Sequence, residues 1–341
     1  MTSRLIRFLV LVILLSVSTA YSQETTLKGA GGTAIFPLLS KWSEAYKQKA
    51  GVVIDYQPVG SSAGIAQIKA KSVIFANSDK PLKPEELKEA GLVQFPAVVI
   101  GITPVINVPG VKPGNLIFDG QVLADIFLGK ITKWNDKAIQ ALNPDLTLPD
   151  LAIIVVHRSD GSGTTFNFAD YLCKVSSEWK AKIGTPDTTI SWPTGIAAKG
   201  SDGVADQVQK NPGSVGYVEY AYAMQRRIDF VRMKNHDGKI VNPYVGTFQA
   251  AAASADFAAV PDFYLILTDQ SGMNSWPITA ATYILLRRDS DKEVNASVVK
   301  FIAWCMTEGQ AQAKELNYVP LPERTFRWIK AYWKSQVGVD L

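Results

Sequence analysis

LAIIVVHRSDGSGTTF, residues 151–166, runs from an apolar stretch straight into an arginine, an aspartate and a cluster of Gly, Ser and Thr. A short run of Leu, Ala, Ile and Val bounded by turn residues reads as a buried strand. Beyond it, in TTFNFADYLCKVSSEW, Phe168, Leu172, Val175 and Trp179 recur at helical spacing, so the stretch reads as strand, glycine turn and helix. The same unit recurs near the start, where Ile35, Leu39, Trp42 and Tyr46 share one helical face and Gly51 ends the run. Further strand candidates are VVIDYQPV (52–59), VQFPAVVIGITPVI (93–106), SVGYVEY (214–220) and TYILLRR (282–288). Strands alternating with helices make this an α/β chain.

Three glycine-rich turns each end a strand-like segment and open a helix: GAGGTAIF (29–36), GSSAGIAQI (60–68) and RSDGSGTTF (158–166). A helix start exposes up to four unpaired backbone N–H groups and the positive end of the helix dipole. Glycine admits close approach and a hydroxyl adds a donor, so such a turn is a natural seat for an oxyanion. One alone is ordinary capping. Three in one chain, one of them flanked by arginine, point to a shared anion.

At 341 residues, with 47% apolar and 19% charged positions, the chain suits one large or two medium globular domains. Residues 1–22 carry Arg4 and Arg7, an apolar stretch from Phe8 to Val17 and small residues after it, which reads as a secretory signal cleaved after Ala20 or Ser22. No cysteine lies near the cut, so no lipid anchor is expected there. Losing the two arginines lowers the formal charge from +4 to +2, which excludes the electrostatic footprint of a nucleic-acid binder. Cys173 and Cys305 fall in helix-like text and read as free buried thiols. Two histidines with no cluster at ligand spacing leave no metal site, and GAGGTA lacks the third glycine of a dinucleotide fingerprint. GSSAG (60–64) matches the G-x-S-x-G of a nucleophile elbow, with His157 and His236 downstream. His157 reads instead as packing at a strand edge, and His236 as part of an exposed turn.

Arg158 offers a planar fork of donors suited to an oxyanion. Asp160 and Asp79 then need a reason to be near one. A carboxylate facing a fully deprotonated anion in a dry pocket costs on the order of several kcal/mol. Phosphate at neutral pH still carries a proton that a carboxylate can accept, and sulfate has none. Aspartates among the donors would therefore exclude sulfate. The competing reading of each aspartate is a helix cap or a surface turn.

With these residues the chain resembles the periplasmic phosphate-binding proteins of high-affinity phosphate ABC transporters. GAGGT, VGSSAGIAQI, NSDKPL, QFPAVVIG, DIFLGKITKWND, RSDGSGTTFNF, KGSDGVADQVQ, GSVGYVEYAYA and SWPITAATYIL carry the likeness over about residues 25–335. The resemblance implies a two-lobed, type II-like periplasmic-binding-protein fold with two hinge crossovers and the ligand in the cleft. Lobe 1 would hold residues 23–102 and 280–341, and lobe 2 residues 103–279, with hinges near Gly101–Thr103 and Pro277–Ala281. It places phosphate contacts on Thr33, Ala34, Ser61, Asp79, Arg158, Asp160, Ser162, Gly163 and Thr164. It also implies a monomeric periplasmic receptor that performs no chemistry, carries no cofactor and hands its ligand to an inner-membrane permease. Two departures stand out: Ala34 replaces the family's usual phenylalanine, with Phe36 two residues on, and SSAG replaces SSGG.

Overall fold

The computed structural model describes residues 25–253 and 255–341, and the expected signal segment lies outside them. The chain opens with three β–α steps: β1 (Thr26–Gly31), α1 (Phe36–Ala50), β2 (Val53–Gln57), α2 (Ser61–Lys69), β3 (Phe75–Ser78) and α3 (Pro84–Ala90). The long strand β4 (Leu92–Asn107) leads through β5 (Ile117–Phe118), α4 (Gly120–Phe127) and α5 (Lys137–Leu142) to β6 (Ile154–Arg158). There follow α6 (Gly163–Val175), α7 (Ser177–Ile183), β7 (Ile196–Ala198), α8 (Gly200–Lys210), β8 (Ser214–Glu219) and α9 (Tyr220–Arg226). Short strands β9 (Asp229–Phe230), β10 (Arg232–Lys234) and β11 (Ile240–Val241) and helix α10 (Val245–Ala253) precede the return strand β12 (Thr279–Arg287). The chain ends with α11 (Lys292–Met306), α12 (Gln310–Glu315), β13 (Val319–Pro320) and α13 (Glu323–Val337).

The main sheet has the order β2-β1-β3-β12-β4-β8-β6-β7, and β4 is its hub. The apolar stretch VQFPAVVIGITPVI is buried along nearly its whole length because both faces of β4 are covered. Its first part, Leu92–Gly101, pairs antiparallel with β12, and its second, Ile102–Asn107, with β8. One strand thus belongs to both lobes of an α/β fold. The crossovers are tied side by side: Trp276 Nε1 donates to the Ile102 carbonyl at 2.8 Å, and the Ile102 N–H donates to the Ile278 carbonyl at 2.8 Å. The register between β4 and β12 shifts between Thr282 and Tyr283, opposite Pro96, which has no N–H for the ladder.

Strand direction aims the two halves at each other. β1, β2 and β3 are mutually parallel, and β3 runs antiparallel to β12, so all three head along β4 toward its midpoint. β6, β7 and β8 are also parallel, and β8 runs against β4, so these three head toward the same midpoint from the other side. Their carboxyl ends converge beside Gly101 and Ile102. Ligands of open α/β sheets sit outside the carboxyl ends of strands.

The expected strands are all present, with shifted ends. The helix read through TTFNFADYLCKVSSEW is instead two, because Ser176 adopts an extended conformation, ends α6 and caps α7 by accepting from the Trp179 N–H at 3.2 Å. The apolar stripe survives the break, with Phe168, Leu172 and Trp179 fully buried. Cys173 and Cys305 are free, as read, but Cys173 is only half-buried. Among the described residues no helix is long and apolar enough to cross a membrane.

Candidate oxyanion-binding site

Four helix starts surround the convergence point. Thr33 precedes α1, Ser61 opens α2, Ser162 caps α6 and Gly200–Ser201 opens α8. Ser162 Oγ accepts from the Thr165 N–H at 3.2 Å, which fixes the turn that the RSDGSGTT stretch makes. The three turns read from sequence meet. The Gly163 N–H donates to Ser61 Oγ at 3.1 Å, and the Ser62 N–H donates to the Gly161 carbonyl at 3.1 Å. Thr33 Oγ1 lies 2.8 Å from Ser201 Oγ. Approach this close explains two glycines. A Cβ on Gly163 would lie 2.7 Å from Ser61 Oγ, and one on Gly60 would lie 2.6 Å from Asp160 Oδ2; Gly60 also has φ +94, a conformation that side chains disfavour.

Arg158 ends β6 and is almost wholly buried, with only 4% of its surface exposed. A buried cation needs a partner, and Asp160 supplies a two-pronged one. Arg158 Nε donates to Asp160 Oδ1 at 2.8 Å and Nη2 to Oδ2 at 2.5 Å, while the Gly200 N–H donates to Oδ1 at 2.9 Å. Burial works against this carboxylate, but the Arg158 bonds prevail and hold Asp160 below the usual carboxylate range. The third guanidinium nitrogen, Nη1, reaches Ser201 Oγ at 3.4 Å.

Asp79 follows β3 and is fully buried. Thr282 Oγ1, at the register shift of β12, donates to its Oδ1 at 2.7 Å, and Thr164 Oγ1 lies 3.3 Å from its Oδ2. The same hydroxyl lies 2.5 Å from Glu219 Oε1, and Glu219 is as buried as Asp79. Burial, reinforced by the Glu219 charge, pushes Asp79 up to about 7 despite the opposing Thr282 hydrogen bond and Arg158 charge.

All nine residues named from sequence fall in this connected cluster. Ala34 is buried and its carbonyl accepts from Tyr318 Oη at 2.6 Å; Phe36 stacks on Tyr56, whose hydroxyl donates to the Gly32 carbonyl at 2.8 Å. Sequence reading missed Ser201, Thr282, Asn167, Tyr222 and Glu219. Asn167 Nδ2 donates to the Asp79 carbonyl at 2.8 Å and Tyr222 Oη to the Thr33 carbonyl at 3.0 Å. The Gly-Ser pair in KGSDG opens a helix like the other turns and could have flagged Ser201; Glu219 carries no local signal.

The hydrolase reading fails on geometry. Ser62 Oγ lies 2.7 Å from Thr188 Oγ1. His157 stacks on Trp192 at 4.9 Å, its Nδ1 3.1 Å from the Arg158 carbonyl, and His236 sits exposed beside Asp269. No group of His, Cys, Asp and Glu among the described residues could hold a metal ion.

A sequence profile of the PBP superfamily domain matches residues 17–308. The phosphate-binding protein PstS of Xylella fastidiosa is 48% identical over 320 residues, covering 94% of this chain and 88% of its own. That of Pasteurella multocida is 46% identical over 332 residues, covering 97% and 96%. Among solved structures, a phosphate-binding protein from Stenotrophomonas maltophilia superposes with a TM-score of 0.68 at 20% identity, over 90% of this chain and 93% of the other. A putative phosphate ABC transporter substrate-binding protein with bound phosphate, from Clostridium perfringens, gives 0.64 at 21%, over 87% and 100%. The structural likenesses speak to fold and the sequence identities to descent: this chain belongs to the PBP superfamily and, within it, to the PstS family of phosphate-binding proteins.

Proposed function

We propose that the chain is a periplasmic receptor for inorganic phosphate that delivers its ligand to the permease of an ABC importer. It acts by binding and release, not as an enzyme. The observation that carries this reading is the meeting of four helix starts and Arg158 with Asp79, a buried carboxyl that forms no ion pair among the described residues. Helix-start N–H groups, among them those of Gly163 and Thr164, the hydroxyls of Thr33, Ser61 and Ser162, and the Ala34 backbone supply donors for a tetrahedral anion. Arg158 pairs with the anion and with Asp160.

Phosphate is selected over sulfate by its proton. An ionised Asp79 accepts from a protonated phosphate oxygen, with Asp160 in the same role where its Arg158 bonds leave a lone pair. Against sulfate the same carboxylate meets only lone pairs and is repelled. Lobe 1, residues 23–102 and 280–341, and lobe 2, residues 103–279, close on the ligand about hinges at Gly101–Thr103 and Pro277–Ala281. The receptor works as a monomer.

Titration calorimetry at pH 8 with phosphate, arsenate and sulfate tests the reading. Heat from phosphate and none from sulfate is expected. Sulfate heat, or no heat from any of the three, would overturn it.

A further inference from the structure

Glu219 is the buried titratable group that the phosphate reading leaves without a task. It ends β8 opposite Ile102 at the crossover, is 1% exposed, and its Oε2 has no hydrogen-bond partner. Its Oε1 lies 2.5 Å from Thr164 Oγ1, which in turn lies 3.3 Å from Asp79 Oδ2. Thr164 has one hydroxyl proton and two carboxyls face it, so it can donate to only one of them. The distances show which: the proton points at Glu219. The contact with Asp79 is then a hydrogen bond only when Asp79 itself carries a proton to donate. Thr282 spends its own proton on Asp79 Oδ1, since Thr282 Oγ1 already accepts from Asn77 Nδ2 at 2.8 Å. The Oδ2 side of Asp79 is therefore governed from behind Thr164.

We propose that Glu219 determines which oxyanion the cavity accepts, by drawing the Thr164 hydroxyl away from Asp79 and so retaining a proton there. This rests on the phosphate-receptor reading. Glu219 is a positioning residue that acts through Thr164. The charged and titratable groups facing it are Asp79 beyond β3, Arg158 at the end of β6, Tyr222 on α9 and Tyr318 beside β13. Arg158 is the cation among them, and it is already held in two bonds by Asp160. The charge of Glu219 bears on Asp79 and raises it.

The consequence is a pH-dependent filter. A protonated Asp79 carries no charge and no longer repels an oxyanion, so sulfate is admitted; an ionised Asp79 accepts only from an anion that brings a proton. Asp79 is pushed up to about 7, first by burial and then by Glu219, so sulfate rejection is present above that pH and lost as pH falls through it. In Glu219→Gln the charge is gone and the amide can donate to Thr164 Oγ1, which returns the Thr164 proton to Asp79. The Asp79 carboxylate is then favoured, and rejection persists to lower pH.

The experiment is calorimetric titration with phosphate in the presence and absence of excess sulfate, from pH 5 to 8.5, on the wild type and Glu219→Gln. The titration of phosphate itself is common to both proteins and cancels in their comparison. The wild type should let sulfate compete at pH 6 and exclude it at pH 8. Glu219→Gln should show the same transition displaced downward by about one pH unit, so that sulfate competes about twofold more weakly than in the wild type at pH 6 and about fivefold more weakly at pH 7. Superimposable transitions would overturn the role of Glu219 while leaving phosphate binding intact. No phosphate heat from the wild type would overturn the receptor reading itself. If Glu219→Gln does not fold, Glu219→Asp withdraws the carboxylate from Thr164 and must shift the transition in the same direction by a smaller amount; no shift overturns the inference.

Discussion

Two aspartates belong to one cluster of helix starts and live in opposite surroundings. Asp160 has both oxygens engaged by Arg158 and the Gly200 N–H and is held below the usual carboxylate range. Asp79 has Thr282 on one oxygen, a hydroxyl turned toward Glu219 near the other, and is pushed up to about 7. Asp79 is fully buried and Asp160 only partly, yet burial pushes both carboxyls upward, so burial alone does not give them opposite shifts. The separation comes from the nearest charge, a guanidinium for one and a carboxyl for the other. The cluster therefore pairs a cation-bearing corner with a proton-holding corner, the combination that the proposed phosphate reading requires.

Removing the cation is the harshest way to break this contrast. Arg158→Met leaves the part-buried Asp160 with the Gly200 N–H but no cation, and removing one partner of a buried ion pair costs up to about 3–5 kcal/mol. Phosphate affinity should fall at least about 100-fold by calorimetry, together with a lower unfolding midpoint. Wild-type affinity in Arg158→Met would mean the guanidinium is a scaffold only.

The second prediction opposes the two corners through pH. Asp79 is raised above its unfolded value near 3.8, so its contribution to stability is full below that value and is lost as pH rises through about 7. Three pH units correspond to about 4 kcal/mol at most. Asp160 is shifted the other way, and its contribution is present above 3.8 and lost as pH falls. Denaturant unfolding of the empty protein between pH 4 and 8 should show the first loss in the wild type and not in Asp79→Asn. Parallel curves for the two proteins would contradict the raised Asp79.

The smallest effect belongs to the rim. Lys80 Nζ bonds Asp187 Oδ1 at 2.8 Å between the two halves, but Asp187 is more than half exposed, which limits such a pair to about 1 kcal/mol. Asp187→Asn should speed phosphate release less than about fivefold in stopped-flow measurements, with no change in sulfate exclusion. A change in exclusion would mean that selection is not confined to the two buried corners.

The anion corner was legible in the sequence because its parts are local. Arg158, Asp160, Ser162, Gly163 and Thr164 lie within seven residues of one another, after an apolar strand, and turn chemistry announces them. The proton corner was legible only at Asp79. Thr282 lies 203 positions from Asp79, and Glu219 lies 55 from Thr164 inside the strand-like SVGYVEY, so only the folded sheet brings them together. The four residues of β3, FANS, are likewise too few to show a period. The break at Ser176 was hidden because the apolar stripe runs through it unchanged.

The central claim is that a carboxyl group inspects the ligand for a proton, and sulfate titration of Asp79→Asn at pH 8 tests it most directly. Asparagine keeps the shape, removes the charge and can donate. The account predicts that the wild type refuses sulfate and that Asp79→Asn binds it. An Asp79→Asn protein that still binds phosphate and still refuses sulfate would contradict it.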